Sequence, residues 1–234
     1  MLATLGDLVD DIVVQLAGPI NVATDTSSII LRRRGGSAAN VAATAGVLGQ
    51  PVRFLGQVGA DAVGAALVAE LKAAGVDTQF VHRSGSTGAI VVLVAPDAER
   101  SMLTDRRTCA ELDDPRPEWL DGITTLHVPL YSLIEGATAM TAATLIGWAH
   151  DRDVAVSLDL SSTALMTEAG LDSVRALVAR LRPSSVFANR SEVDMYGLDQ
   201  LPADAIAVVK NGPDPALIRV PPGANTSATT YMVP

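Results

Sequence analysis

Arg34-Gly35-Gly36-Ser37-Ala38-Ala39-Asn40-Val41-Ala42-Ala43-Thr44-Ala45-Gly46-Val47-Leu48-Gly49 is the stretch on which the fold of this chain turns. Two consecutive glycines free the backbone to approach a ligand, and the small residues after them read as a helix that packs tightly on a sheet. The start of such a helix presents N–H groups without partners along the helix. Asn40 falls on its first turn, where an amide that both donates and accepts suits a polyhydroxylated ligand better than a bare charge. Alone, the same residues also read as a Gly-Gly turn before an Ala-rich packing helix, so the surroundings decide.

On the N-terminal side, Leu2 to Leu5 and Ile12 to Leu16 read as strands, with the acidic segment Gly6-Asp7-Leu8-Val9-Asp10-Asp11 between them. Asp11 stands out among apolar neighbours, and a carboxylate there either faces solvent or binds something. Ile29 to Arg33 reads as a strand entering the Gly-Gly turn, and the triplet Arg32 to Arg34 as its solvated end. On the C-terminal side, Val52 to Val58 is a strand. Asp61 caps a helix to Ala74 that stops at Gly75, and Gly75-Val76-Asp77 starts another strand. Ala89 to Ala95 and Ser101 to Thr104 form a hairpin about Pro96-Asp97-Ala98-Glu99.

A regular alternation follows: strand 125–128, helix 138–150, strand 155–160, helix 171–181, strand 185–188, helix 191–196, strand 205–210. Strands alternating with amphipathic helices predict right-handed crossovers and a parallel sheet covered on both faces. Ligands bind such sheets outside the carboxyl ends of the strands, where Asp159 and Asn189 fall. Asp159 reads equally as a helix N-cap. Residues 216–220 and 229–234 read as two last short strands around a Pro/Gly/Asn turn.

Composition excludes several classes. A net charge of −9 with 3% aromatic residues gives neither the basic face nor the stacking rings of a nucleic-acid binder. Hydrophobic residues at 48% predict a sizeable core. Cys109 is the sole cysteine, so no intramolecular disulfide or thiolate zinc site forms, and a reducing compartment suits it. The start, MLATLGDLVDDIVVQL, lacks a basic region and carries three aspartates, so it does not read as a secretory leader. No apolar run is long enough for a membrane span. Cytoplasmic residence is therefore expected, and the Asn-x-Ser/Thr matches at Asn189 and Asn225 are discounted. G-x-G-x-x-G after a strand, the P-loop and the G-x-S-x-G elbow are all absent. His82, His127 and His150 show no metal-ligand spacing and read as packing or surface residues.

What remains is an acidic position in the first strand region, Gly-Gly-x-x-x-Asn before a helix, the βαβ succession, and Asn189-Arg190-Ser191-Glu192 at a strand-to-helix junction. This combination resembles the ribokinase-like, PfkB-type family of sugar and nucleoside kinases over essentially the whole chain. The family's first signature fits Gly35 to Ala42, followed by Gly49 and Phe54-Leu55-Gly56-Gln57-Val58-Gly59. The resemblance implies one kinase domain over 1–234: a mostly parallel α/β sheet with helices on both faces and a small β lid from about 12–34 and 88–104. It implies ATP-dependent phosphorylation of a sugar hydroxyl with Mg2+, and a homodimer paired through the lid.

Residue by residue, it implies that Asp11 accepts hydrogen bonds from sugar hydroxyls in a pocket completed by Gly35, Gly36 and Asn40. Asn189 and Glu192 match the family's N-x-x-E, with Glu192 organising the magnesium and phosphate shell. Lys210 and Gly212 match the turn against the nucleotide. Three departures stand out. Arg107-Thr108-Cys109 replaces a frequent Gly-Ala-Asn, and Ser161 and Thr163 replace a frequent Asn and Arg after Asp159. A Gly-Ala-Gly-Asp motif is expected after Tyr231-Met232-Val233-Pro234 and does not occur in the 234 residues, so the C-terminal elements are expected to be missing and no catalytic base is assigned. The alternatives are a catalytically inactive, truncated sugar-binding relative and a nucleoside kinase.

Overall fold

The computed structural model describes residues 1–222 and 228–233; Asn225, most of the turn expected at 221–225, and Pro234 lie outside them. In chain order the elements begin with β1 (Leu2–Leu5), β2 (Val9–Leu16), β3 (Ser28–Gly35), α1 (Ser37–Val47), β4 (Val52–Val58) and α2 (Ala62–Ala73). There follow β5 (Val81–Arg83), β6 (Ala89–Val94), β7 (Arg100–Asp105), β8 (Thr125–Pro129), α3 (Tyr131–Ile134), α4 (Gly136–His150) and β9 (Ala155–Asp159). The last are α5 (Thr163–Ala169), α6 (Leu171–Leu181), β10 (Ser185–Asn189), α7 (Arg190–Tyr196), β11 (Ile206–Asn211), β12 (Asp214–Val220) and β13 (Thr229–Val233). They form two compact units, Met1–Leu5 with Asp113–Pro234, and Gly6–Leu112.

In the first unit the strands run in the order β13-β12-β11-β10-β9-β8-β1. From β1 to β11 every pair is parallel, and β12 and β13 close the edge antiparallel. Helices supply the crossovers that parallel pairing requires. Amphipathic α6 shows why they form, since Val174, Val178 and Leu181 recur at helical spacing and are its buried residues. Two short helices, α3 and α5, lie in the connections that follow β8 and β9. Ser162, whose Oγ accepts from Leu165 N at 3.3 Å, caps α5, so the helix-cap alternative for Asp159 does not hold.

In the second unit, β3-β2-β6-β7 make a separate four-stranded sheet with β2 and β6 parallel at its centre. Alanines 38, 39, 42 and 43 are the buried residues of α1, and a side chain at Gly46 would stand 2.2 Å from the Ala74 carbonyl oxygen. Small residues thus let α1 lie close to its neighbours. The strand expected from Gly75 is instead a single bridge between Arg53 and Asp77. Asp77 turns the chain there by accepting from Gln79 N at 3.0 Å, and pairing with β4 resumes only at β5. Asp7 and Arg106, both largely buried, form a two-pronged ion pair at 2.8 and 2.9 Å that fixes the chain beyond β7 to the segment before β2.

Asp61 caps α2 as expected. It accepts from Gly64 N at 2.8 Å, and from Thr87 through both the hydroxyl, at 2.6 Å, and N–H, at 2.8 Å. These donors, the Gly64 bond first, hold its carboxyl down at about 2. A carboxylate depressed on folding stabilises the protein above its ordinary range, and that contribution disappears as pH falls through the folded value. Asp61→Ala is therefore expected to cost about 1–2 kcal/mol at neutral pH. Thermal unfolding followed into acid should show the variant and wild type converging.

Candidate functional site

Asp11 lies within β2, opposite Arg33 of β3 and Ile90 of β6. Its Oδ1 is buried and has no hydrogen-bond partner. Burial pushes the carboxyl above its ordinary range, repulsion from Asp10 adds to this, and the Arg34 charge opposes it. Stranding a carboxylate oxygen away from water is unfavourable unless something completes it.

Gly35, which ends β3, is the reason the carboxylate fits. A Cβ built on it would meet Asp11 Oδ1, Cγ and Oδ2 at 2.0, 2.2 and 2.5 Å. Gly36 adopts φ +97°, and its Cβ would lie 2.1 Å from the Asp7 carbonyl oxygen. Both positions exclude a side chain, the second for backbone conformation as well. Gly36 is also the N-cap of α1 and brings no capping side chain. Asn40, exposed on α1, accepts through Oδ1 from Arg34 Nη1 at 2.8 Å.

The arginine triplet is not simply a solvated strand end. Arg32 pairs with Asp10 and keeps 61% of its side chain exposed, but Arg34 is bonded to Asn40 and acts on Asp11. Sequence reasoning missed Arg34 because a charge run gives no sign of which members turn inward. Its position directly before the glycine pair was the available signal. Of Arg107-Thr108-Cys109, the last two are spent on internal packing, with Gln57 Nε2 donating to Thr108 Oγ1 and Cys109 Sγ to the Leu8 carbonyl at 3.3 Å, while exposed Arg107 pairs with Asp105 at 2.6 Å. Burial pushes the Cys109 thiol up to about 12, so it is no nucleophile.

A second cluster forms in the first unit at the carboxyl ends of β9, β10 and β11. Lys210 Nζ lies 2.8 Å from Asp159 Oδ2, and register places Lys210 beside Asn189. Asn189 and Glu192 build a reciprocal cap on α7. Asn189 Oδ1 accepts from Glu192 N at 2.9 Å, while the Glu192 carboxylate accepts from Asn189 N at 2.8 Å and Nδ2 at 2.7 Å. Glu192 is 3% exposed. Burial raises its carboxyl, the Asn189 bond lowers it, Asp159 raises it, and Lys210 lowers it. Gly212 sits beyond β11 in the turn to β12, at φ +60° with open space around it.

Ser161, which drew notice only as a departure, holds the end of β9. Its N–H donates to Asp159 Oδ1 at 2.8 Å, and its Oγ accepts from Leu130 N at 3.1 Å. Its φ of +67° is uncommon for a residue with a side chain and has no sequence signature. His127 is a buried packing residue beside Ser157 Oγ at 3.0 Å, its ionisation disfavoured by burial.

Among the described residues no three His, Cys, Asp or Glu side chains form a metal cage. Asp159 and Glu192 nevertheless act on each other electrostatically, and their oxygens keep lone pairs beyond the bonds they accept. Such a donor set fits a hard cation held mainly by water and phosphate oxygens. Among the described residues no helix is long and apolar enough to cross a membrane.

A charged cluster at the strand ends of one unit and a desolvated carboxylate over a glycine pair in the other are the candidate sites of this α/β protein. The model of the pfkB family carbohydrate kinase matches residues 3–219, and the chain belongs to that family. Among solved structures it is similar to adenosine kinase from Sinorhizobium meliloti, with 21% identity over 99% of this chain and 79% of that one, at a TM-score of 0.82. Fructokinase from Halothermothrix orenii shares 17% identity over 100% and 85%, at 0.80. Fructokinase with bound ATP from Xylella fastidiosa shares 20% over 100% and 77%, at 0.78. The ribokinase-like α/β fold is thus that of this chain.

Proposed function

We propose that this PfkB-type kinase phosphorylates a sugar hydroxyl with ATP, and that Asp11, Gly35, Gly36 and Asn40 hold the sugar. The observation that carries the proposal is the buried, unpartnered Oδ1 of Asp11, which suits a ligand O–H. Asn189, Lys210 and Gly212 belong to the nucleotide side, in keeping with the family and the ATP-bound fructokinase. Glu192 supports that side by fixing Asn189, and with Asp159 would hold Mg2+ through water. When bound, the ion would neutralise phosphate charge. Lys210 supplies a fixed positive charge at the strand ends, and Ser161 keeps Asp159 oriented.

The four-stranded sheet is proposed as a lid over the sugar. Exposed Ile29, Ile30, Met102 and Leu103 on its edge strands support pairing with a second copy of the chain. A single buried thiol and dependence on ATP both suit the cytoplasm.

The test is ADP release in the presence of Mg2+, with D-fructose, D-ribose and adenosine as acceptors, alongside calorimetric titration of each. Binding of a sugar by this chain is expected, and turnover by a longer chain that carries Gly-Ala-Gly-Asp, since no catalytic base is assigned within the 234 residues. Binding without ADP release by the longer chain favours a sugar-binding relative without chemistry, turnover with adenosine alone favours a nucleoside kinase, and neither binding nor turnover with any acceptor overturns the proposal.

A further inference from the structure

We propose that Arg34 is a positioning residue of the acceptor pocket: it takes the carboxamide oxygen of Asn40 and so fixes that amide as a hydrogen-bond donor beside the acceptor carboxylate of Asp11. The proposal rests on the assignment of Asp11 and Asn40 to the acceptor.

A guanidinium carries five N–H donors and no acceptor, so only an oxygen can face it favourably. The atom 2.8 Å from Arg34 Nη1 is therefore Asn40 Oδ1, and Nδ2 is left for a ligand. Exposed on α1, Asn40 would otherwise be free to present either end of its amide. Asp11 is the complementary group, since an ionised carboxylate only accepts.

The surroundings of Asp11 decide how firmly it stays ionised. Asp10 adjoins it on β2, Arg33 lies opposite and Arg34 next along on β3, and β6 offers apolar Ile90. From α2, Glu70 faces a cavity shared with Asp10, Arg32 and Arg33. Asp10 is already paired with Arg32. Arg34 is the cation that favours ionised Asp11 against burial and repulsion.

The result is a pocket with one fixed donor and one fixed acceptor. It fits two hydroxyls of opposite hydrogen-bonding sense, one accepting from Asn40 and one donating to Asp11, and it discriminates against an acceptor lacking either.

Nuclear magnetic resonance of wild type, Arg34→Met and Arg34→Lys tests the placement without a ligand. Met keeps the apolar stem and removes both charge and donors. In Arg34→Met the Asp11 carboxyl should titrate at higher pH, and the Asn40 side-chain amide should lose its fixed environment. Arg34→Lys should restore the Asp11 titration toward wild type. In calorimetric titration with whichever of D-fructose, D-ribose or adenosine binds wild type, Arg34→Met should weaken affinity about tenfold, in line with the loss of one charge-assisted bond. The loss should be larger in mildly acid than in alkaline buffer, and Lys should flatten that dependence. Unchanged Asp11 and Asn40 signals in Arg34→Met overturn the proposal. Failure of wild type to bind any of the three, with those signals still responding, instead overturns the acceptor assignment on which it rests.

Discussion

Asp11→Asn should weaken acceptor binding at least about 10- to 100-fold while leaving the fold at least as stable as wild type. A hydrogen bond to a charged group contributes about 1.5–3 kcal/mol, so its loss alone weakens binding about 10- to 100-fold. The remaining carboxamide can also turn a donor toward a hydroxyl that needs an acceptor. Stability moves the other way because burial raises the carboxyl of Asp11 in the folded chain. A carboxyl raised on folding opposes the native state at pH above its folded value, and the penalty vanishes below its unfolded value. The neutral variant escapes it, so its melting temperature should equal or exceed wild type near neutrality and the two should converge in acid. Calorimetric titration and thermal unfolding across pH measure the two halves. A variant that binds sugar normally, or that is much less stable near neutrality, contradicts the role given to Asp11.

Gly35→Ala should lose acceptor binding and stability together. The new methyl would stand 2.0–2.5 Å from three atoms of the Asp11 carboxylate, far inside contact distance, at a position where burial limits retreat. Overpacking of this kind costs about 1–3 kcal/mol. The displaced carboxylate no longer presents Oδ1, so binding should fall at least as far as in Asp11→Asn. Asp11→Ala in the Gly35→Ala background removes the clash and should recover most of the stability without restoring binding. A double-mutant cycle by thermal unfolding then gives a favourable coupling between the two substitutions. Additive losses would mean that Gly35 is needed for a reason unrelated to Asp11.

The alternation from Thr125 to Lys210 was legible because each crossover helix repeats apolar residues at helical spacing and each strand is short and apolar. The N-x-x-E corner at Asn189 was legible as well, since a reciprocal cap is local chemistry. The separate four-stranded sheet was harder to read. Its central pair joins β2 to β6, more than seventy residues apart, and no local pattern sets that register. The false strand at Gly75 arose from apolar Val76 between turn formers, where Asp77 bends the chain instead. Within the proposed acceptor site, the motif nominates Gly35, Gly36 and Asn40, and the misfit of a carboxylate among apolar neighbours nominates Asp11. Neither nominates Arg34, because its role exists only through contacts with Asn40 on α1 and Asp11 on β2. Ser161 escaped for a similar reason, since a left-handed backbone at a serine is imposed by tertiary bonds to Asp159 and Leu130.

The most direct measurement is a crystal structure of the chain with the sugar that binds it. A sugar hydroxyl should lie about 2.6–3.0 Å from Asp11 Oδ1, the range of an O–H···O bond, with a second hydroxyl accepting from Asn40 Nδ2. A sugar bound elsewhere, with water completing Asp11 Oδ1, would contradict the assignment of this carboxylate to the acceptor.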